Sequence, residues 1–97
     1  MTDIAKRVDQ ALEEAQRNRN RSALLALRLL RKAIVEAEAA KKGALTQEET
    51  LDVIRAELRI HEEGIARATQ TSIQSLIDEE KRQSEAIKSI LTPDLSL

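Results

Sequence analysis

Residues Arg21 to Val35, RSALLALRLLRKAIV, constrain the fold more than any other stretch of this chain. Set on a helix at about 100° per residue, Leu24, Leu27, Leu30, Ile34 and Val35 cover one broad face, while Leu25 and Leu29 fall on the flank beside Arg28, Lys32 and Glu36. A helix apolar over so wide an arc needs neighbours on most sides. It predicts the centre of a small helical bundle, with a narrow basic strip left outside. The composition agrees: apolar residues make up 41% of the chain without one Phe, Tyr or Trp, so the core must be built from Leu, Ile, Val and Ala, which suits helices better than a sheet. Two glycines and one proline leave few breaks and favour long helices joined by short turns. The 97 residues have room for one bundle, so residues 1–92 are expected to form a single helical domain and 93–97 a short C-terminal tail.

Cap chemistry divides the chain into about four antiparallel helices, all-α, near 3–17, 21–42, 47–68 and 72–91. The first starts from Thr2 or Asp3 and carries Ile4, Val8, Leu12 and Ala15 on one lean stripe. In the polar run Arg17 to Arg21, Asn18 or Asn20 supplies a turn or a new cap. Gly43 after Lys41 and Lys42 reads as the stop of the second helix, because glycine tolerates positive φ. Thr46 with Glu49 three residues on is a capping box and opens the third helix, where Leu51, Ile54, Leu58, His61 and Ile65 form the seam beside Val53 and Ile60. Thr71 with Gln74 repeats that pattern, so a turn is expected near Gln70, and the fourth helix brings Ile73, Leu76, Ile77, Ile87, Ile90 and Leu91. Pro93 ends the regular structure. The alternative is an unbroken helix from Thr46 to Leu91, a rod of roughly 70 Å that would require a partner chain to cover it.

If the chain does fold back near Gln70, His61 falls opposite Asp78, Glu79 or Glu80. A polar layer of His61 with Glu80 would then interrupt an apolar seam and hold its register.

Chemistry is sparse. Cysteine is absent, His61 is the one histidine, and the adjacent carboxylate pairs split over neighbouring helix positions, so neither a catalytic constellation nor a metal site assembles and no cofactor is expected. Glu57 and His61 are four apart, whereas a carboxylate-bundle metal site uses Glu and His three apart. The longest apolar run, Ala23 to Leu27, is too short for a membrane span or a secretory signal, which leaves the cytoplasm as the default.

Charge is more informative. The net charge is −1, yet Gln16 to Val35 holds six bases (Arg17, Arg19, Arg21, Arg28, Arg31 and Lys32) and no acid, while Glu36 onward holds thirteen acids against eight bases. Such a segment is either a surface for phosphates or an acidic protein, or a solvated helix face. Without aromatic residues there is no platform for stacking bases, so RNA contact would be electrostatic, through Arg17, Arg19, Arg21, Arg28 and Lys32.

The order of features from Arg21 to Ile65 resembles the YqeY-like domain, the helical domain also found as the tail of the GatB subunit of the tRNA-dependent amidotransferase. The residues that carry the resemblance are Leu27, Arg28, Leu29, Ala33, Ile34, Glu38, Gly43, Leu45, Thr46, Glu48, Glu49, Val53 and Ile54. Where that family has a Gly-Arg turn and a Tyr-Leu-Pro end, this chain has no Gly near Gln70 and offers Leu91, Thr92, Pro93, Asp94 and Leu95; the family's second, smaller helical domain has no counterpart. The resemblance implies a noncatalytic domain beside a carbon-nitrogen ligase, assisting tRNA-handling machinery by binding tRNA or an aminoacyl-tRNA-modifying enzyme. The alternative is a helical protein-interaction or self-association module with no nucleic-acid role, a homodimer among its forms.

Overall fold

The computed structural model describes residues 3–91 and forms an all-α bundle of four helices: α1 (Ile4–Arg17), α2 (Arg21–Lys41), α3 (Gln47–Thr71) and α4 (Gln74–Leu91). Each helix runs against the one before it. Accordingly the start of α1 meets the start of α3, where the Ile4 N–H donates to Gln47 Oε1 at 3.2 Å, and the end of α4, where Arg7 reaches the Ile90 carbonyl at 3.4 Å. The long rod from Thr46 to Leu91 is excluded, since Ser72 takes left-handed backbone at φ 59° and reverses the chain. The predicted cap at Thr2, the stop at Pro93 and the tail 93–97 lie outside the described residues.

Local chemistry sets most boundaries. Asp3 caps α1 by accepting from the Ala5 N–H at 3.0 Å. Asn20 does two jobs: its N–H closes α1 on the Ala15 carbonyl, and its side chain caps α2 by accepting from the Ala23 N–H at 3.1 Å. Thr46 and Glu49 form the reciprocal capping box, with Lys41 donating to the same Glu49 carboxylate. The box predicted at Thr71 and Gln74 does not form. Thr71 is instead the last residue of α3, and its hydroxyl donates back to the Ala68 carbonyl at 2.7 Å, so the helix runs three residues past its expected end at 68.

Gly43 is likewise not the residue that ends α2. Lys42 occupies the left-handed position at φ 63°, one residue earlier, and the Gly43 N–H closes the turn on the Glu38 carbonyl at 3.1 Å. The reason is tertiary: Leu45 must reach the core and Thr46 must open α3, which leaves too few residues for the helix to continue to Gly43. An L-residue held there is strained by its Cβ. Lys42→Gly is therefore expected to stabilise the fold by about 0.5–1 kcal/mol, visible as a higher urea midpoint, whereas Gly43 does not have a positive φ and a Cβ added there meets no atom within 4 Å.

The core joins all four helices through Ile4 and Val8, through Ala26, Leu27, Leu30 and Ile34, through Ile54, and through Ile87 and Ile90. On α2 the buried arc is displaced from the predicted one. Ala23 and Ala26 are buried, Leu24 is half-buried and Val35 is 53% exposed, because α4 leans on the alanine side, where Ser22 bonds Glu79. Leu76, and Ile73 just before α4 begins, lie in line with Ile87 but are half-exposed. They sit closer to the α3–α4 turn than Glu79, which already lies level with the start of α2, so α2 does not reach far enough to cover them.

Candidate nucleic-acid interface

All five predicted basic residues are exposed. Arg17 ends α1, Arg19 sits in the turn at φ 54° and Arg21 opens α2, so three cations gather around one short connection. Arg21, Arg28 and Lys32 then fall within about 20° either side of one line along α2, at 100° per residue. That line is opposite the core: Leu30 and Ile34, both buried, lie about half a turn away. The strip thus follows from the residues that bury the other side of the helix.

What sets these five apart is that they gather on one acid-free segment; several other cations have acidic partners, though Lys6, Arg7, Lys42, Arg59, Arg67 and Lys81 are joined to none among the described residues. Arg31 is bonded to Asp9, Lys41 to Glu49, Arg55 to Asp52 and Arg82 to Glu79. Among the described residues none of Arg17, Arg19, Arg21, Arg28 and Lys32 is joined to a carboxylate, as expected for a segment without acids from Gln16 to Val35. Arg31 belongs to the same basic run but turns toward α1, so only its position on the helix removes it from the strip.

Near the top of the strip lies a network that periodicity did not reveal. Ser22 donates to Glu79 Oε1 at 2.8 Å, Arg82 reaches the same oxygen at 3.0 Å, and Gln83 donates to Oε2 at 2.7 Å. These bonds from Gln83, Ser22 and Arg82 hold the Glu79 carboxyl below the ordinary carboxylate range, and Lys41 with the Thr46 N–H does the same for Glu49. A carboxyl lowered by folding stabilises the fold above its unfolded value and loses that contribution as pH falls through the folded one. Stability is therefore expected to drop as pH decreases from about 4.5, and Glu79→Gln to flatten that drop, in urea unfolding followed between pH 6 and 3. The polar residues of α4 where Leu might stand, Gln83 and Ser84, are buried, and Gln83 is satisfied through Glu79.

His61 is buried on α3, and its Nδ1 lies 3.2 Å from Glu80 Oε2. Gly64 makes room for this carboxylate, since a Cβ there would come within 2.8 Å of Glu80 Oε2. The described residues contain no group of three or more His, Asp or Glu placed to hold a metal ion, and no helix among them is long and apolar enough to cross a membrane.

The sequence profile of the family described as Yqey-like protein matches residues 5–96. The chain belongs to that family. The match takes in all of α1 but its first residue, and α4, as well as the stretch from Arg21 to Ile65, so nearly the whole Yqey-like bundle, strip included, lies within it. None of the curated proteins and none of the solved structures gives a match.

Proposed function

We propose that this Yqey-like chain is a noncatalytic accessory domain of tRNA-handling machinery, of the kind that serves a tRNA-dependent amidotransferase, and that it holds the tRNA backbone through Arg17, Arg19, Arg21, Arg28 and Lys32. The observation that carries this reading is the gathering of five exposed cations on one segment that holds no acid from Gln16 to Val35, none of them paired with a carboxylate among the described residues. Exposed cations that hold no carboxylate attract phosphates and release counterions from them on binding. The lack of aromatic residues argues for backbone contact without base stacking. A noncatalytic role is supported by the absence of cysteine and by the enclosure of His61.

Titration with bulk tRNA near 50 and 200 mM salt tests the reading. Five phosphate contacts should weaken binding by about two to three orders of magnitude between those conditions. Absent or salt-insensitive binding would leave a protein-interaction module in its place.

The pair of His61 and Glu80 serves, in this proposal, to fix the register of α3 against α4 and takes no part in binding. Glu80→Ala leaves a buried imidazole without its partner and is expected to destabilise by about 1–3 kcal/mol in urea unfolding while tRNA affinity stays the same.

A further inference from the structure

The outer side of α2 carries more than charge. Leu25 and Leu29, one turn apart, are 50% and 44% exposed. By helical register they form a short ridge beside Arg21, Arg28 and Lys32, on the side of the helix opposite the core. Phosphates have no use for two leucines: an RNA backbone laid on this ridge would lose water from its own polar atoms and give the leucines nothing apolar in return.

We propose that this ridge is a docking site for an acidic amphipathic helix of a partner protein. The partner would set its leucines between and over Leu25 and Leu29, and its carboxylates against Arg21, Arg28 and Lys32. Two features of the surface select that occupant. The ridge has the spacing of a helix-in-groove contact, with apolar anchors one turn apart. Its rim is mainly basic along α2: Arg21, Arg28 and Lys32 line it, Glu36 stands only at its far end, and the Glu79 carboxylate near its head is already bonded by Ser22, Arg82 and Gln83. The same rim disfavours a second copy of this chain. Pairing two α2 faces about a two-fold axis would set arginines and Lys32 of one copy near those of the other, with Glu36 the one acid of α2 beside them to offset the repulsion.

This inference does not depend on the tRNA reading, because it turns on the leucines. Around the turn, Arg17 and Arg19 lie beyond the ridge and remain open to phosphates while a helix occupies the face below. Arg21, Arg28 and Lys32 serve either occupant, so a helix on the ridge takes those three from a bound RNA and leaves it Arg17 and Arg19.

The test uses the full chain and a labelled synthetic peptide of about 15 residues, helical, with leucines at i, i+4 and i+7 and glutamates on both flanks. A second peptide replaces each Glu by Lys. Fluorescence anisotropy should show the acidic peptide binding in the micromolar range, more weakly as salt rises, with the lysine peptide failing to bind. Leu25→Ser with Leu29→Ser should weaken the acidic peptide by at least about tenfold, with an unchanged far-UV circular dichroism spectrum and unchanged tRNA titration. Arg28→Ala with Lys32→Ala, which keeps the leucines, should reduce the salt dependence. Equal binding of both peptides, no binding of either, or no response to the leucine changes would overturn the proposal. So would loss of tRNA affinity in the leucine variant, which would assign the ridge to RNA, or a dimer in light scattering that the leucine changes dissolve, which would assign it to a second copy.

Discussion

Leu30→Ala is expected to destabilise the bundle by about 3 kcal/mol, while Leu29→Ala, one residue away, changes stability by less than about 0.5 kcal/mol. Both are leucines on α2, and helix propensity treats them alike. Leu30 is fully buried and packs in the cluster that joins the four helices, whereas Leu29 is 44% exposed. Truncating Leu30 loses the transfer of its methyl groups out of water and leaves a cavity. The neighbours that would have to close it, including Leu27, Ile54 and Ile87, are themselves buried and branched at Cβ or Cγ, so they cannot easily swing into the space. For a chain of this size total stability is about 5–15 kcal/mol, so the loss is a substantial fraction of the whole. Thermal unfolding followed by circular dichroism should place the midpoint of Leu30→Ala about 10–20 °C below the parent and that of Leu29→Ala within a few degrees of it. Equal losses at the two positions would mean that α2 is covered on both sides, and the ridge would not exist as an open surface.

Why the helices were legible and their edges only partly so comes down to which interactions are local. Asn20, Thr46 and Glu49 act through bonds within three residues, and their effect can be read directly from the order of side chains. The contact of His61 with Glu80 spans nineteen residues, yet it follows the register implied by a reversal near Gln70, because two antiparallel helices joined by a short turn leave little freedom. Other features depend on neighbours that periodicity does not name. Lys42 rather than Gly43 takes the left-handed position, since Leu45 and Thr46 set the length of the connection. Val35 is outside because α4 approaches α2 over Ala23 and Ala26, and an apolar arc drawn on α2 alone has no means of weighing small residues that allow close approach. Leu76 and Ile73 carry the right period on α4 but extend beyond the start of α2, which is a matter of relative helix length.

The basic residues show the same division. Their number and the absence of acids are plain in the sequence, but which of them are free is not. Arg31 has the same local surroundings as Arg28, three residues earlier, and differs by facing α1, where Asp9 holds it. Ser22, Glu79, Arg82 and Gln83 come together only when the start of α2 meets α4, and no spacing within either helix announces that meeting.

Reversal of Arg17, Arg19 and Arg21 to Glu should lower affinity for bulk tRNA by at least about hundredfold near 50 mM salt, and reduce the slope of log affinity against log salt by about three. The three residues are exposed and joined to no carboxylate among the described residues, so the change removes no ion pair that holds the bundle together. Arg21→Glu puts an acid in the first turn of α2, where the helix dipole favours it, and Arg17→Glu puts one in the last turn of α1, where the dipole disfavours it, so the two roughly offset and the fold should be retained. Arg19 is different in one respect, because its left-handed backbone makes any L-residue there strained, and Glu inherits that strain without adding to it. Binding should therefore fail for an electrostatic reason alone. The reversed chain would carry three negative charges at the turn where the parent carries three positive ones, and the remaining Arg28 and Lys32 lie about 10 Å or more down the helix, near the screening length at physiological salt. A reversed chain that folds as the parent does and still binds tRNA with the parent's salt slope would place the RNA contact elsewhere or remove it from this protein's repertoire.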